Sequence, residues 1–218
     1  MNKPSPLGEW TGDFGRAYIT RNQPTIDATA EAAVVFARIL EQARLRDAVG
    51  SVLEVGANVG INLIGLRQAL GRDATLAAVE PNAGACDALR ANGELQLAEV
   101  MHADAYRIPA ADNSFDLVFT NGVLIHIPPE RLADAMREIV RVSRRFVLCS
   151  EYFSHAPVEI PYHGQQGLLW KRDFGRTYLD SCANLQTRAY GFIWQVEFPH
   201  FDDLNWWIFE KTRDHVAA

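Results

Sequence analysis

The sequence predicts a mostly parallel α/β sheet with helices on both faces. Three observations carry this. Val52, Leu53 and Val55 form a short apolar run that passes through a loop holding Gly56, Asn58 and Gly60 into Ile61, Leu63, Ile64 and Leu66 at helical spacing, the first half of a βαβ unit. Further short apolar runs, Ala74 to Val79, Leu97 to Met101, Phe115 to Phe119 and Arg145 to Ser150, are separated by stretches with helical patterning. Two aromatic-rich runs, Arg188 to Val196 and Asn205 to Lys211, suit a closing antiparallel pair, which brings the sheet to seven strands.

A chain of 218 residues, 48% apolar and 22% charged, fits one globular domain with a full core. Its net charge of -6 disfavours a nucleic-acid partner, and no basic run offsets that. Cys86, Cys149 and Cys182 are far apart with no C-x-x-C pair, so neither a disulfide framework nor a metal site is indicated and a reducing cytoplasm is expected. Met1 to Gly8 lacks the apolar centre of a signal peptide, and no apolar run reaches the length of a membrane span.

In chain order, residues 1–24 read as an N-terminal arm, with Trp10, Phe14, Tyr18 and Arg21 set among glycines before any helix signal. The arm either covers the core or forms a flap over a ligand pocket. The domain proper occupies 25–218. Thr25 or Asp27 caps a helix through Ala28 to Ala48, with Ala33, Phe36, Ala37, Leu40 and Ala43 or Arg44 as its apolar stripe and Gly50 as its stop. The glycine loop follows, then a helix to about Leu70 closed by Gly71.

The loop is neither G-x-G-x-x-G nor a phosphate loop, since Gly56 and Gly60 fit neither spacing. Asn58 stands between them and tolerates left-handed backbone angles, so the loop shape survives without a third glycine. The second strand ends at Glu80, 24 residues beyond Gly56, against the roughly 20 at which a doubly wound fold places a ribose-binding carboxylate. A nicotinamide dinucleotide would ask for the same residue. The third strand leads to Asp104 and Ala105, where Asp104 suits a turn. Pro129 opens a helix through Arg131 to Val142, and the fifth strand ends in Glu151, Tyr152 and Phe153. Beyond Phe153 the pattern loosens; Leu168 to Arg176 reads as the entry of another helix. Asp13-Phe14-Gly15-Arg16 is echoed at Asp173-Phe174-Gly175-Arg176, too short a match for a repeat.

Glu54-x-Gly56-x-Asn58-x-Gly60, Glu80, Asp104-Ala105, Phe115-Asp116-Leu117-Val118 and the strand after Arg145 occur in the order found in class I S-adenosyl-L-methionine (SAM) dependent methyltransferases. Residues 50–153 resemble that family. Trp10, Phe14-Gly15, Tyr18, Arg21-Asn22, Leu169 to Phe174 and Trp206 to Lys211 resemble in addition the group described as pseudaminic acid biosynthesis-associated methylases. The family resemblance implies a Rossmann-like seven-stranded fold, SAM as cofactor with S-adenosyl-L-homocysteine (SAH) as product, and transfer to an oxygen or nitrogen of a small polar acceptor. The second resemblance points weakly to a sugar or nucleotide-sugar acceptor. The implied cofactor-binding set is Tyr18, Arg21, Glu54, Gly56, Ala57, Asn58, Gly60, Glu80, Pro81, Asp104, Ala105, Asn121 and Gly122.

Asn121-Gly122-Val123-Leu124 replaces the N/D-P-P-Y of amino-nitrogen methyltransferases acting on adenine or glutamine, a second argument against a nucleic-acid substrate. His126, just past the fourth strand, is the first candidate for a general base and equally suits a packed or capping histidine; Glu151 and His163 are weaker candidates. A natural-product small-molecule methyltransferase, an NAD-dependent oxidoreductase and a non-catalytic SAM-binding module are the alternatives.

Overall fold

The computed structural model describes residues 5–212; the first four residues of the expected arm and the last six of the domain lie outside the described residues. Five parallel strands form the centre: β1 (Ser51–Val55), β2 (Thr75–Glu80), β3 (Glu99–His102), β4 (Phe115–Asn121) and β5 (Ser143–Glu151). β8 (Leu185–Ile193) and β9 (Leu204–Lys211) complete the sheet, β9 lying antiparallel to both β5 and β8, in the order β3-β2-β1-β4-β5-β9-β8. The expected seven-stranded, mostly parallel sheet is the fold observed. A separate pair, β6 (Val158–Glu159) and β7 (Trp170–Lys171), lies outside it.

Alternate residues along the central strands enter two cores. Val52, Leu76, Leu117 and Phe146 pack with α3 (Ile26–Gln42) and α4 (Ile61–Leu70) on one face. Leu53, Ala77, Val118 and Val147 pack with α6 (Pro129–Val142) and α7 (Phe174–Ser181) on the other. Burial on both faces is why these strands read as continuous apolar runs rather than alternating ones. α5 (Ala83–Ala91) joins β2 to β3. The strand order turns back between β1 and β4, and a crevice opens outside the carboxyl ends of parallel strands at such a point.

Several local expectations are corrected. The arm is not irregular: it forms α1 (Pro6–Thr11) and α2 (Asp13–Arg21), with Pro6 at a first-turn position where its missing N–H costs no bond. Thr25 does cap α3, its side chain accepting from the Ala28 amide, but the helix stops well before Gly50. Arg44 turns left-handed at φ 56° and the Leu45 amide reaches back to the Leu40 carbonyl, a close that pattern alone did not reveal. The buried stripe of α3 centres on Ala32, Val35, Phe36, Ile39 and Leu40. No helix starts at Leu168: Trp170 and Lys171 pair with β6, and α7 begins at Phe174, where the Asp173 carboxylate accepts from the Arg176 amide. Both copies of the Asp-Phe-Gly-Arg echo therefore sit at helix starts, although their surroundings differ.

α3 and α4 meet where Gly65 lacks a side chain; a Cβ there would stand 2.6 Å from the Ala32 carbonyl carbon. Contact with backbone rather than with a flexible side-chain end leaves little room to adjust. Gly65→Ala is expected to lower stability by about 1–3 kcal/mol, the usual range for overpacking, read as a lower melting temperature with the far-ultraviolet spectrum retained.

Candidate active site

The crevice at the carboxyl ends of β1, β2 and β4 is a cavity of ≈ 450 Å³ lined from three directions. The loop after β1 contributes Gly56, Ala57 and Asn58; the ends of β2 and β3 contribute Glu80, Pro81, Asp104 and Ala105; the end of β4 contributes Asn121, Gly122 and His126. Leu7 and Trp10 of α1 and Tyr18 and Arg21 of α2 line it as well.

The glycine loop has the backbone that its residue types permit. Gly56 and Gly60 take φ of 80° and 84°, and Asn58 takes 47° in place of a third glycine. Gly60 is the N-cap of α4 and its missing Cβ makes room for Leu89 and Leu95; it does not line the cavity. Glu54 does not line it either. That carboxylate is 1% exposed, its Oε1 accepts from the Asn62 side chain at 2.7 Å, and burial pushes its pKa well up. The resemblance assigns both residues to cofactor binding, whereas the geometry gives them support of the loop and of the start of α4.

Glu80 is 6% exposed and lies on the cavity wall. Its Oε2 accepts from the Asn58 amide and its Oε1 from the Asn82 amide, each at 2.8 Å. Burial raises its pKa while the two amides oppose the shift. Each carboxylate oxygen keeps a second lone pair, so two hydroxyls can still be received. Asn82, which sequence reasoning did not single out, holds the arm: its Nδ2 donates to the Trp10 carbonyl at 2.8 Å while its Oδ1 caps α5. Asp104 takes the turn role, Oδ1 accepting from the Tyr106 amide at 2.8 Å, and still lines the cavity.

His126 lies in the 3-10 turn Leu124–His126. Its Nδ1 stands 2.7 Å from the Leu168 carbonyl oxygen, which fixes the proton on Nδ1 and leaves Nε2 as an acceptor. Burial lowers its pKa to about 4, against the carbonyl contact, which acts to raise it. The rings of Trp10 and Tyr162 pack on it with centroids 4.7 and 5.2 Å away. Glu151 is fully buried and does not reach the cavity. His163 packs against Phe14 and Tyr162 and does not line the cavity.

Sequence reading did not single out Tyr152 or Asp202. Tyr152 lies on the wall and its hydroxyl donates to Asp202, a pair separated by 50 residues with no shared local pattern. Asn121 lines the cavity, and its buried Oδ1 has no hydrogen-bond partner. Among the described residues no group of His, Cys, Asp and Glu is arranged to hold a metal ion, and no helix is long and apolar enough to cross a membrane.

Because its folded pKa is depressed from 6.5 to about 4, neutral His126 contributes stability that is present above pH 6.5 and lost as pH falls towards 4. The melting-temperature gap between wild type and His126→Gln is expected to narrow over that range in a scanning-fluorimetry series. A constant gap would mean a solvated, freely titrating ring.

A protein-family profile described as a methyltransferase domain matches residues 52–145. A curated Haemophilus influenzae protein described as "Uncharacterized protein" is 34% identical over 93 residues, a match covering 42% of this chain and 37% of that one. The magnesium protoporphyrin IX methyltransferase of Synechocystis PCC 6803, solved with bound SAH, superposes with a TM-score of 0.67 at 15% identity, over 94% of this chain and 97% of that one. The 1,6-didemethyltoxoflavin-N1-methyltransferase of Burkholderia thailandensis, solved with 1,6-didemethyltoxoflavin and SAH, gives 0.63 at 17% identity, over 91% and 83%. Residues 52–145 thus match a methyltransferase-domain profile over less than half of the chain, and the sheet has the Rossmann-like class I methyltransferase fold.

Proposed function

We propose that the protein is a SAM-dependent methyltransferase acting on an oxygen or nitrogen of a small polar acceptor. The observation that carries this is Glu80, a buried carboxylate on the cavity wall, held beside the Gly56–Asn58 loop by the Asn58 amide and retaining lone pairs for a ribose diol. SAM supplies an activated methyl group on a sulfonium, so the protein's task is alignment and removal of water.

The residues present fit that cofactor. Glu80 would receive the ribose hydroxyls, and Asp104 with the Ala105 amide would meet the adenine. The unpartnered Asn121 Oδ1 is an acceptor for the methionine ammonium. Burial pushes the Tyr18 phenol up to about 12, so it remains a donor at neutral pH. With the Arg21 guanidinium, which stacks 5.9 Å from the Tyr18 ring, it suits the methionine carboxylate. His126 Nε2 would serve as a proton acceptor for the acceptor group, and α1 and α2, which line the cavity, would exclude water. The pairing of arm and closing strands found in the methylase group named above makes a sugar or nucleotide-sugar the first acceptor to try.

SAM and SAH are expected to raise the melting temperature, NAD to leave it unchanged, and Glu80→Ala to weaken SAH binding at least tenfold, about 1.4 kcal/mol. Stabilisation by NAD alone would replace this reading with an oxidoreductase. Incubation with methyl-labelled SAM and a cell extract is expected to yield a labelled small molecule. In that assay His126→Ala should bind SAH normally and slow transfer by about 100-fold or more; unchanged transfer would remove the base role.

A further inference from the structure

Glu151 is the last residue of β5, fully buried, and the described cavity wall does not include it. Three consecutive backbone amides converge on it. Val123 N–H and Leu124 N–H donate to Oε1 at 3.2 and 3.0 Å, and Ile125 N–H donates to Oε2 at 3.3 Å. These are the amides that open the 3-10 turn Leu124–His126, groups for which a helical start has no internal partner. The same segment leaves β4 through Gly122, at φ 66°, whose amide donates to the Ser150 carbonyl at 2.8 Å. One side of the segment is thereby tied to β5, and the other carries Asn121, Gly122 and His126 into the cavity.

We propose that Glu151 is a positioning residue of the site, its ionised carboxylate holding the Val123, Leu124 and Ile125 amides and so setting the place of Asn121, Gly122 and His126 at the cavity. The part of this that concerns the cofactor rests on the function proposed above. A carboxylate accepts strongly at both oxygens, whereas a protonated carboxyl leaves one oxygen as a hydroxyl, a weaker acceptor that also carries a donor, and a glutamine amide replaces one oxygen with an NH2 that cannot accept. Burial raises the Glu151 pKa to about 7 although the three amides act to lower it, so the segment's anchor changes character within the neutral range. The titratable groups facing it are Cys149 on its own strand and Tyr178 of α7; Asp173 at the start of α7 faces Cys149, and Cys182 faces Tyr178. Cys149 and Tyr178 are pushed well above their usual values and stay neutral near pH 7.

The test uses the full-length protein. In nitrogen-15 correlation spectra recorded between about pH 5.5 and 8.5, the Val123, Leu124 and Ile125 amide protons are expected to move downfield together with a midpoint near 7. Independent movement, or none, overturns the proposal without any variant being made. In calorimetric titrations with SAH at pH 8, Glu151→Gln is expected to bind about tenfold more weakly than wild type, and the difference should close at pH 5.5 as wild type becomes protonated. The Glu80 titration is common to both proteins and cancels in that difference. Equal affinity at pH 8, or a gap that does not depend on pH, overturns the cofactor part. If neither protein binds SAH at any pH, the proposed function fails, while the amide titration still decides what Glu151 does.

Discussion

The arrangement depends on one buried carboxylate. Glu80 ends β2 and takes the Asn58 amide on one oxygen and the Asn82 amide on the other, which joins the loop after β1 to the start of α5. Burying a charge costs several kcal/mol unless it is paired or hydrogen-bonded, and two charge-assisted bonds from fixed backbone offset that cost. The loop is then held open in a left-handed path that Gly56 and Asn58 can adopt. Through Asn82 the same contact reaches the Trp10 carbonyl, so the arm is hung from the end of β2.

Three buried glutamates stand at or near the carboxyl ends of parallel strands, and their surroundings give them different work. Glu54 turns inward to the Asn62 side chain and keeps one oxygen, Oε2, without a partner. Glu80 faces the cavity. Glu151 is sealed beneath the segment after β4 and is consumed by backbone amides. Desolvation raises the pKa of all three, yet exposure to the crevice separates the one suited to receive a ligand from the two that support it. A titration shift alone does not mark a ligand-binding group.

The two ends of the pocket have different origins. One side is built by the segments that leave the parallel strands β1 to β4, each of them encoded within a short span of sequence. The opposite side is assembled from α2, the segment after β5, the residues flanking β7 and the turn before β9, with Tyr18, Tyr152, Leu169 and Asp202 on the wall. The methyltransferase profile stops at residue 145, before three of these four segments begin. Solved proteins of this shape act on molecules as unlike as a magnesium porphyrin and a didemethyltoxoflavin, in keeping with a constant sheet and variable ends.

The sequence by itself determined the sheet, the glycine loop and Glu80, because each is encoded within a short span: apolar runs of strand length, residues that allow positive φ, and an acid at a set distance from the loop. It also contained the closing pair, with β8 ending a few residues earlier than its aromatic pattern. Tertiary structure alone decided that α1 and α2 line the crevice, that Asn82 anchors them, that Tyr152 meets Asp202, and that Glu54 and Glu151 turn away from the cavity. Those outcomes rest on contacts between residues tens of positions apart, where the direction of a side chain follows from what packs beneath it, and no local periodicity records that.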